Sequence, residues 1–239
     1  MAQSLINTAR SALKPVLDLI YPSMCGGCGA EGAVLCNACI ESFSFVESDK
    51  SCPLCGRQTG VAIACGECLA HGKKYFTRAY FGFHFEGFLR ESLHAFKFQG
   101  RKDVGRTLAG LLDEGIRGLA PQIDCIVPLP ITEKRLKERG FNQSFIIAEE
   151  ISKRTGKPIE FGTLIKVKET KDQYTLSKEE RKKNVKNAFT ATGTRLKGRS
   201  ILLVDDLYTT GNTAREASKA LSRIGVKTVA LFALARTPA

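Results

Sequence analysis

The chain has 239 residues, 43% of them hydrophobic and 25% charged, which suits one medium domain plus a small module and excludes a disordered, collagenous or coiled-coil protein. Lys and Arg total 36 against 24 Asp and Glu, a formal +12, and all of the excess lies after Tyr75, because residues 1–75 hold six basic and six acidic side chains. No apolar stretch approaches the roughly 20 residues that span a bilayer, so no membrane insertion is expected, and an N-terminus without a basic leader makes the cytoplasm the expected location.

Leu5, Ile6, Ala9, Leu13, Val16, Leu17 and Ile20 recur at helical spacing and predict a short amphipathic helix within residues 1–22, kinked or restarted at Pro15. Residues 23–72 then hold eight of the nine cysteines as four C-x-x-C pairs: Cys25/Cys28, Cys36/Cys39, Cys52/Cys55 and Cys65/Cys68. A tight turn across two residues lets both thiolates of such a pair face one tetrahedral zinc ion, and two pairs fill one ion's coordination sphere. The short gaps favour Cys25, Cys28, Cys36 and Cys39 on one ion and Cys52, Cys55, Cys65 and Cys68 on a second, with interleaved grouping as the alternative. Gly26, Gly29, Gly56 and Gly66 follow knuckle cysteines, as tight turns require. Four thiolates leave no place for water, so both ions would be structural. Eight thiolates and two Zn²⁺ turn the formal +12 into +8 and make the module acidic, which favours docking to protein over nucleic acid. His71 offers a substitute ligand, although a surface histidine explains it as well.

Lys73 to Phe85 alternates aromatics and reads as a strand or hairpin. Helical periodicity then covers Leu89 to Gly118. An apolar strand follows at Cys125 to Leu129, with Cys125 buried in it, then a helix at Asn142 to Thr155 and strands near Ile159 and Leu164. Ser177 with Glu180 forms a capping box. The pattern closes with a strand at Ser200 to Val204, a helix at Ala214 to Ile224 and a strand at Thr228 to Ala233. Alternation of this kind implies βαβ units and a parallel sheet flanked by helices over residues 76–239. Lys166 to Arg199 carries eleven basic and four acidic residues, which favours an anionic partner or a solvated face.

The sharpest chemistry lies in ILLVDDLYTTGNT, residues 201–213. Open parallel sheets bind ligands beyond the carboxyl ends of their strands. Thr209, Thr210, Gly211, Asn212 and Thr213 lead into a helix whose free N–H groups and dipole suit a phosphate. The carboxylates of Asp205 and Asp206 repel phosphate but suit ribose hydroxyls, so the segment reads as a grip on a ribose 5-phosphate.

This stretch is similar to the phosphoribosyl pyrophosphate (PRPP) fingerprint of type I phosphoribosyltransferases. PLPITEKR, RGFNQ at Arg139 to Gln143, then Thr170, Gln173, Leu176-Ser177, Arg181, Asn184-Val185 and Ala188-Phe189 precede it. In order and spacing they resemble the ComF/GntX (ComFC-like) family, associated with natural competence and use of DNA, whose members also begin with a cysteine-knuckle module. The resemblance implies a type I phosphoribosyltransferase fold behind a double zinc ribbon. It makes Pro130 to Arg135 the pyrophosphate-side loop and Lys166 to Arg181 a hood, with Arg135, Lys171 and Arg181 as pyrophosphate candidates and magnesium arriving on PRPP. Arg139, Gln143, Gln173 and Asn184 fall on motif positions without assigned roles. Lys166 and Lys168 stand where arginine is usual, and Asn212 replaces a smaller residue. Three functions are expected from this: a PRPP-binding protein of DNA uptake and utilisation, a phosphoribosyltransferase of nucleotide or related metabolism with an unidentified acceptor, or a non-catalytic handler of single-stranded DNA and of DNA-uptake or recombination proteins.

Overall fold

The computed structural model describes residues 22–70, 75–169, 180 and 184–238. The amphipathic N-terminal segment, His71, Lys171, Gln173, the Ser177 cap and Arg181 lie outside the described residues. A four-stranded parallel sheet runs in the order β1 (Arg78–His84), β6 (Thr228–Arg236), β5 (Ser200–Tyr208), β2 (Cys125–Pro128). Along β5 the side chains alternate. Leu202 and Val204 enter a core with Leu93, Phe96 and Ile147, whereas Ile201 and Leu203 enter a second core with Ala217 and Leu221. Both faces are therefore covered, which is why the strand reads as an unbroken apolar run. Cys125 is fully buried on β2, facing the second core.

One face carries α3 (Gly87–Phe98), α4 (Lys102–Gly110), α5 (Asp113–Arg117) and α7 (Gln143–Thr155). Leu89, Leu93 and Phe96 on α3 and Ile147 and Ile151 on α7 are buried at helical spacing. The other face carries α8 (Asn212–Arg223), whose buried stripe of Ala214, Ala217, Ala220 and Leu221 lets it lie close against the sheet. A two-stranded antiparallel sheet, β3 (Leu164–Lys166) with β4 (Phe189–Ala191), sits beside α8.

Several elements differ from the sequence expectation. The helical run from Leu89 to Gly118 is three helices, because Gly100 at φ 71° ends α3 and Leu111 and Leu112 separate α4 from α5. All three bury apolar residues in one core, so the periodicity carries across the breaks. The aromatic stretch after Lys73 forms one strand, β1, paired with distant β6 and not with a neighbour in sequence. Near Ile159 there is a single parallel bridge to Ile126 in place of a strand. β5 continues past Val204 through both aspartates to Tyr208, since its pairing with β6 extends to Tyr208↔Arg236.

The cysteine-rich module contains α1 (Asn37–Glu41) and α2 (Gly66–Ala70) and seats itself on the outer edge of β1. Val46 N–H donates to Gly82 O at 2.9 Å, His84 N–H to Ser44 O at 2.8 Å and Ala79 N–H to Pro53 O at 2.7 Å. An edge that would otherwise expose unpaired backbone groups is thereby closed. Cys25, Leu35, Cys39 and Phe43 join the same core as α3 and α4.

Candidate functional site

The four sulfurs of Cys25, Cys28, Cys36 and Cys39 lie within 4.8 Å of one another, as do those of Cys52, Cys55, Cys65 and Cys68. Grouping is local, as the spacing favoured. Sulfurs about 2.3 Å from one tetrahedral zinc stand about 3.8 Å apart. Cys25 and Cys39 are 3.7 Å apart, Cys28 and Cys36 3.7 Å, and Cys55 and Cys65 3.6 Å, so both sets fit the ion. The first knuckle of each group closes on a left-handed glycine, Gly29 at φ 77° and Gly56 at φ 69°, whereas Cys39 and Cys68 of the second knuckles lie in α1 and α2; Cys36 N–H and Cys65 N–H point at the sulfurs of Cys25 and Cys52. Burial raises the Cys25 thiol, but the N–H groups of Cys28, Cys36 and Gly27 prevail and hold it at about 6. Cys52, opposed by burial and assisted by the N–H groups of Cys65, Leu54 and Cys55, stands at about 7. At Cys25 and Cys52 backbone N–H groups thus favour thiolate, the form that binds metal, whereas burial raises Cys39 and Cys55, an effect that an ion's charge opposes.

The second site opens at the carboxyl end of β5. Gly211, at φ 73°, caps α8, and the hydroxyl of Tyr208 occupies the place where a Cβ on Gly211 would fall. Only glycine fits this turn. Asn212 donates its side-chain amide to Thr210 Oγ1 at 3.0 Å, which braces the loop internally. Asp205, Asp206, Thr209 and Thr213 form one wall of a cleft of about 130 Å³, and Lys97, Arg135, Arg139 and Lys166 form much of the rest. Thr210, Gly211 and Asn212 shape the turn without lining the cleft.

The opposite wall is assembled from helix ends. Thr132 caps α6 (Glu133–Arg139) by accepting from Arg135 N–H, so the stretch expected as a loop up to Arg135 becomes helix after Thr132 and Arg135 projects from its first turn. RGFNQ acquires a structural meaning. Gly140 ends α6 at φ 74°, Phe141 is buried, and Asn142 caps α7 while donating to Leu129 O at the end of β2. Gln143 accepts from Arg139 at 3.1 Å and donates to the carbonyl of Lys97 at 3.4 Å.

Sequence reasoning missed Lys97, a lysine in the last turn of α3 that nothing local marks. Its ammonium meets Asp206 at 3.0 Å, with both side chains about nine-tenths buried. Phe98 beside it is half-exposed at the cleft mouth, with the Arg139 guanidinium 5.1 Å over its ring. Burial, and then repulsion from Asp206, raises the Asp205 carboxyl to about 7, with Lys97 opposing. Burial also lowers Lys166, helped by Arg135 and opposed by Asp205. The cleft therefore combines paired acids, a glycine turn at a helix start and a cationic wall, and it can hold a polyol that carries anionic groups. An adjoining hollow of about 160 Å³ is lined by Phe98, Arg135, Glu138 and Arg139. A larger hollow of about 310 Å³ at the seam between the cysteine-rich module and β1 is mostly apolar, with Phe45, Pro53, Leu111 and Leu112 in its lining beside Arg78 and Glu114.

Comparison with known proteins gives two family matches, a double zinc ribbon domain over residues 16–69 and a phosphoribosyl transferase domain over residues 142–239. Competence protein F of Haemophilus influenzae is 32% identical over 213 residues, covering 84% of this chain and 90% of that protein. The DNA utilization protein YhgH of Salmonella typhi is 31% identical over 230 residues, covering 92% and 99% respectively. Competence protein ComFC of Bacillus subtilis is 26% identical over 200 residues, covering 78% of each chain. No described helix is long and apolar enough to cross a membrane.

Proposed function

Since the chain belongs to the family of competence protein F and the YhgH DNA utilization proteins, we propose that it binds PRPP at the carboxyl end of β5 and serves DNA uptake or utilisation in the cytoplasm. The observation that carries this reading is the cleft itself, in which paired aspartates and a glycine turn at a helix start face Arg135, Arg139 and Lys166. Asp205 and Asp206 accept hydrogen bonds from the ribose hydroxyls. The N–H groups opening α8, with Thr209 and Thr213, take the 5-phosphate. Arg135, with Lys171 and Arg181 of the hood, takes the pyrophosphate.

Magnesium carried on PRPP supplies charge neutralisation at the pyrophosphate, and carboxylate oxygens suit it. Lys97 holds Asp206 in place at 3.0 Å, so the ribose meets an oriented acceptor. Departure of pyrophosphate from the anomeric carbon leaves an oxocarbenium-like centre, and this chemistry asks for positioning and charge stabilisation, with no protein nucleophile. The acceptor would enter beside Phe98, where the adjoining hollow opens. Calorimetry with PRPP and Mg²⁺ tests the reading. Binding is expected in the natural protein and lost in Asp205→Ala/Asp206→Ala; no heat with the natural protein, or equal heat with both, refutes it. Pyrophosphate release with candidate acceptors then separates an enzyme from a ligand sensor.

A second reading, direct handling of single-stranded DNA, is supported by the +12 charge and by the competence and DNA utilization for which the relatives are named. It requires an affinity that falls steeply with salt and weakens when Lys182, Lys183 and Lys186 are neutralised.

A further inference from the structure

Tyr208 ends β5 immediately before the glycine turn, yet it does not line the cleft. It is buried, its ring meets Phe81 edge-on at 4.9 Å, and its hydroxyl lies against Gly211. Opposite it in register stands Arg236 on β6, and Thr237 N–H donates to Tyr208 O at 2.9 Å. Arg236 is only 4% exposed, and its Nε has no acceptor. Among the described residues no carboxylate lies within ion-pair reach of it. A guanidinium held in the interior needs a counter-charge.

The second cysteine group is next to it. Gly56, directly after Cys55, turns back at φ 69° with Arg236 Cδ and the Phe81 ring filling the space where its Cβ would stand. Cys55 packs against the cluster that contains Tyr208, and Cys55 and Cys52 are among the charges felt by both Tyr208 and Arg236. Four thiolates around one Zn²⁺ carry a net charge of −2, and nearby Arg57 is engaged by Glu67.

We infer that Arg236 is the counter-ion of the second zinc–tetrathiolate centre, and that the two together buttress Tyr208 and through it the turn at Gly211, which makes Arg236 and Tyr208 positioning residues for the ligand. The inference rests on the phosphate-binding reading above. It makes zinc retention and PRPP binding reciprocal, because whatever stiffens one end of a linked pair tightens the other by the same factor.

The test uses the full-length, zinc-loaded protein and follows transfer of its two zinc ions to a chromogenic chelator, with and without Mg²⁺–PRPP, beside calorimetric PRPP affinity. In the natural protein PRPP is expected to slow one of the two release phases about tenfold and to affect the other much less. Arg236→Met is expected to accelerate that same phase, to abolish its protection by PRPP and to weaken PRPP binding about tenfold. Arg236→Lys, which restores charge without the planar fork, recovers part of each. Equal slowing of both phases, or Arg236→Met with unchanged release and unchanged affinity, overturns the inference.

Should Arg236→Met not fold, Tyr208→Phe carries the test, with basal zinc release preserved and PRPP protection reduced; full protection overturns it. If the natural protein gives no heat with PRPP, the ligand reading has failed. The counter-ion assignment is still judged by ligand-free release, where identical rates in the natural protein and Arg236→Met refute it.

Discussion

Asp205→Asn is expected to produce a protein that is more stable at neutral pH and binds PRPP at least about tenfold more weakly. Burial and the neighbouring Asp206 raise the Asp205 carboxyl from 3.8 to about 7, so ionising it inside the fold costs about 4 kcal/mol as an upper bound. The Lys97 charge, committed to Asp206 at 3.0 Å, already acts within that value, and water in the cleft, which Asp205 partly faces, lowers the cost to about 2 kcal/mol. Asparagine keeps the shape and carries no charge, so a gain of about 2 kcal/mol corresponds to about 4–8 °C in Tm for a chain of this size.

The sign depends on pH. Between about pH 4 and 7 the folded protein holds a proton at Asp205 that the unfolded chain has released, so the natural protein loses stability as pH rises through that window and levels off above it. The Tm difference between variant and natural protein is therefore expected to be clearly smaller at pH 4.5, where only part of the loss has set in, and full at pH 8. Hydrogen bonds from ribose hydroxyls to a carboxylate contribute about 1.5–3 kcal/mol, so PRPP affinity falls at least about tenfold. Paired calorimetric melts and titrations across this range check both halves. A Tm difference that is flat from pH 4.5 to 8, or negative at pH 8, refutes the assignment of a strained carboxylate at this position.

Lys97→Met leaves Asp206 buried without its partner and is expected to destabilise the fold by about 3–5 kcal/mol in denaturant titration, with Asp206→Asn in the same chain recovering most of it. Gly211→Ala places a methyl group against the Tyr208 hydroxyl at a left-handed φ of 73°; it is expected to cost about 1–3 kcal/mol and to weaken PRPP binding more than it lowers Tm would suggest, read by calorimetry beside a thermal melt. Removing both zinc ions with a chelator is expected to collapse the cysteine-rich module and the parallel sheet in one transition, because Cys25 and Cys39 share a core with Phe83, Leu93 and Phe96; two separate melting transitions would contradict this.

The cysteine groups and the turn from β5 into α8 were legible in the sequence because their chemistry is local. Four C-x-x-C pairs define two metal sites with few other partners, and strand, acids, glycine and helix follow one another within residues 201–213. The end of β5 was not legible, since an apolar run stops at Val204 while the hydrogen-bond ladder continues to Tyr208. Lys97 could not be placed either. It is one lysine among 36 Lys and Arg, and it gains its role only when α3 brings it across to Asp206 from far upstream. The motif RGFNQ was visible as a pattern, but its use of Gly140 and Asn142 to end one helix and start the next, and so aim Arg139 and Gln143 into the cleft, depends on how β2 and α7 meet.

The placement of the module explains why one chain carries two zinc centres. Seated on the edge of β1, it reaches both faces of the sheet. The first centre packs into the face that holds α3 and α4, where Gly26 meets Val104 and Gly27 meets Phe88 and Ser92, near the start of α3 and away from Lys97 at its end. Its work there is to complete a core. The second centre comes down on the opposite side, against Phe81, Arg236 and Tyr208, one residue short of the turn that opens α8. A single ion could have closed the sheet edge. Two ions fix the module on both faces of the sheet, and the second sets metal-anchored backbone against the residues that shape the ligand turn.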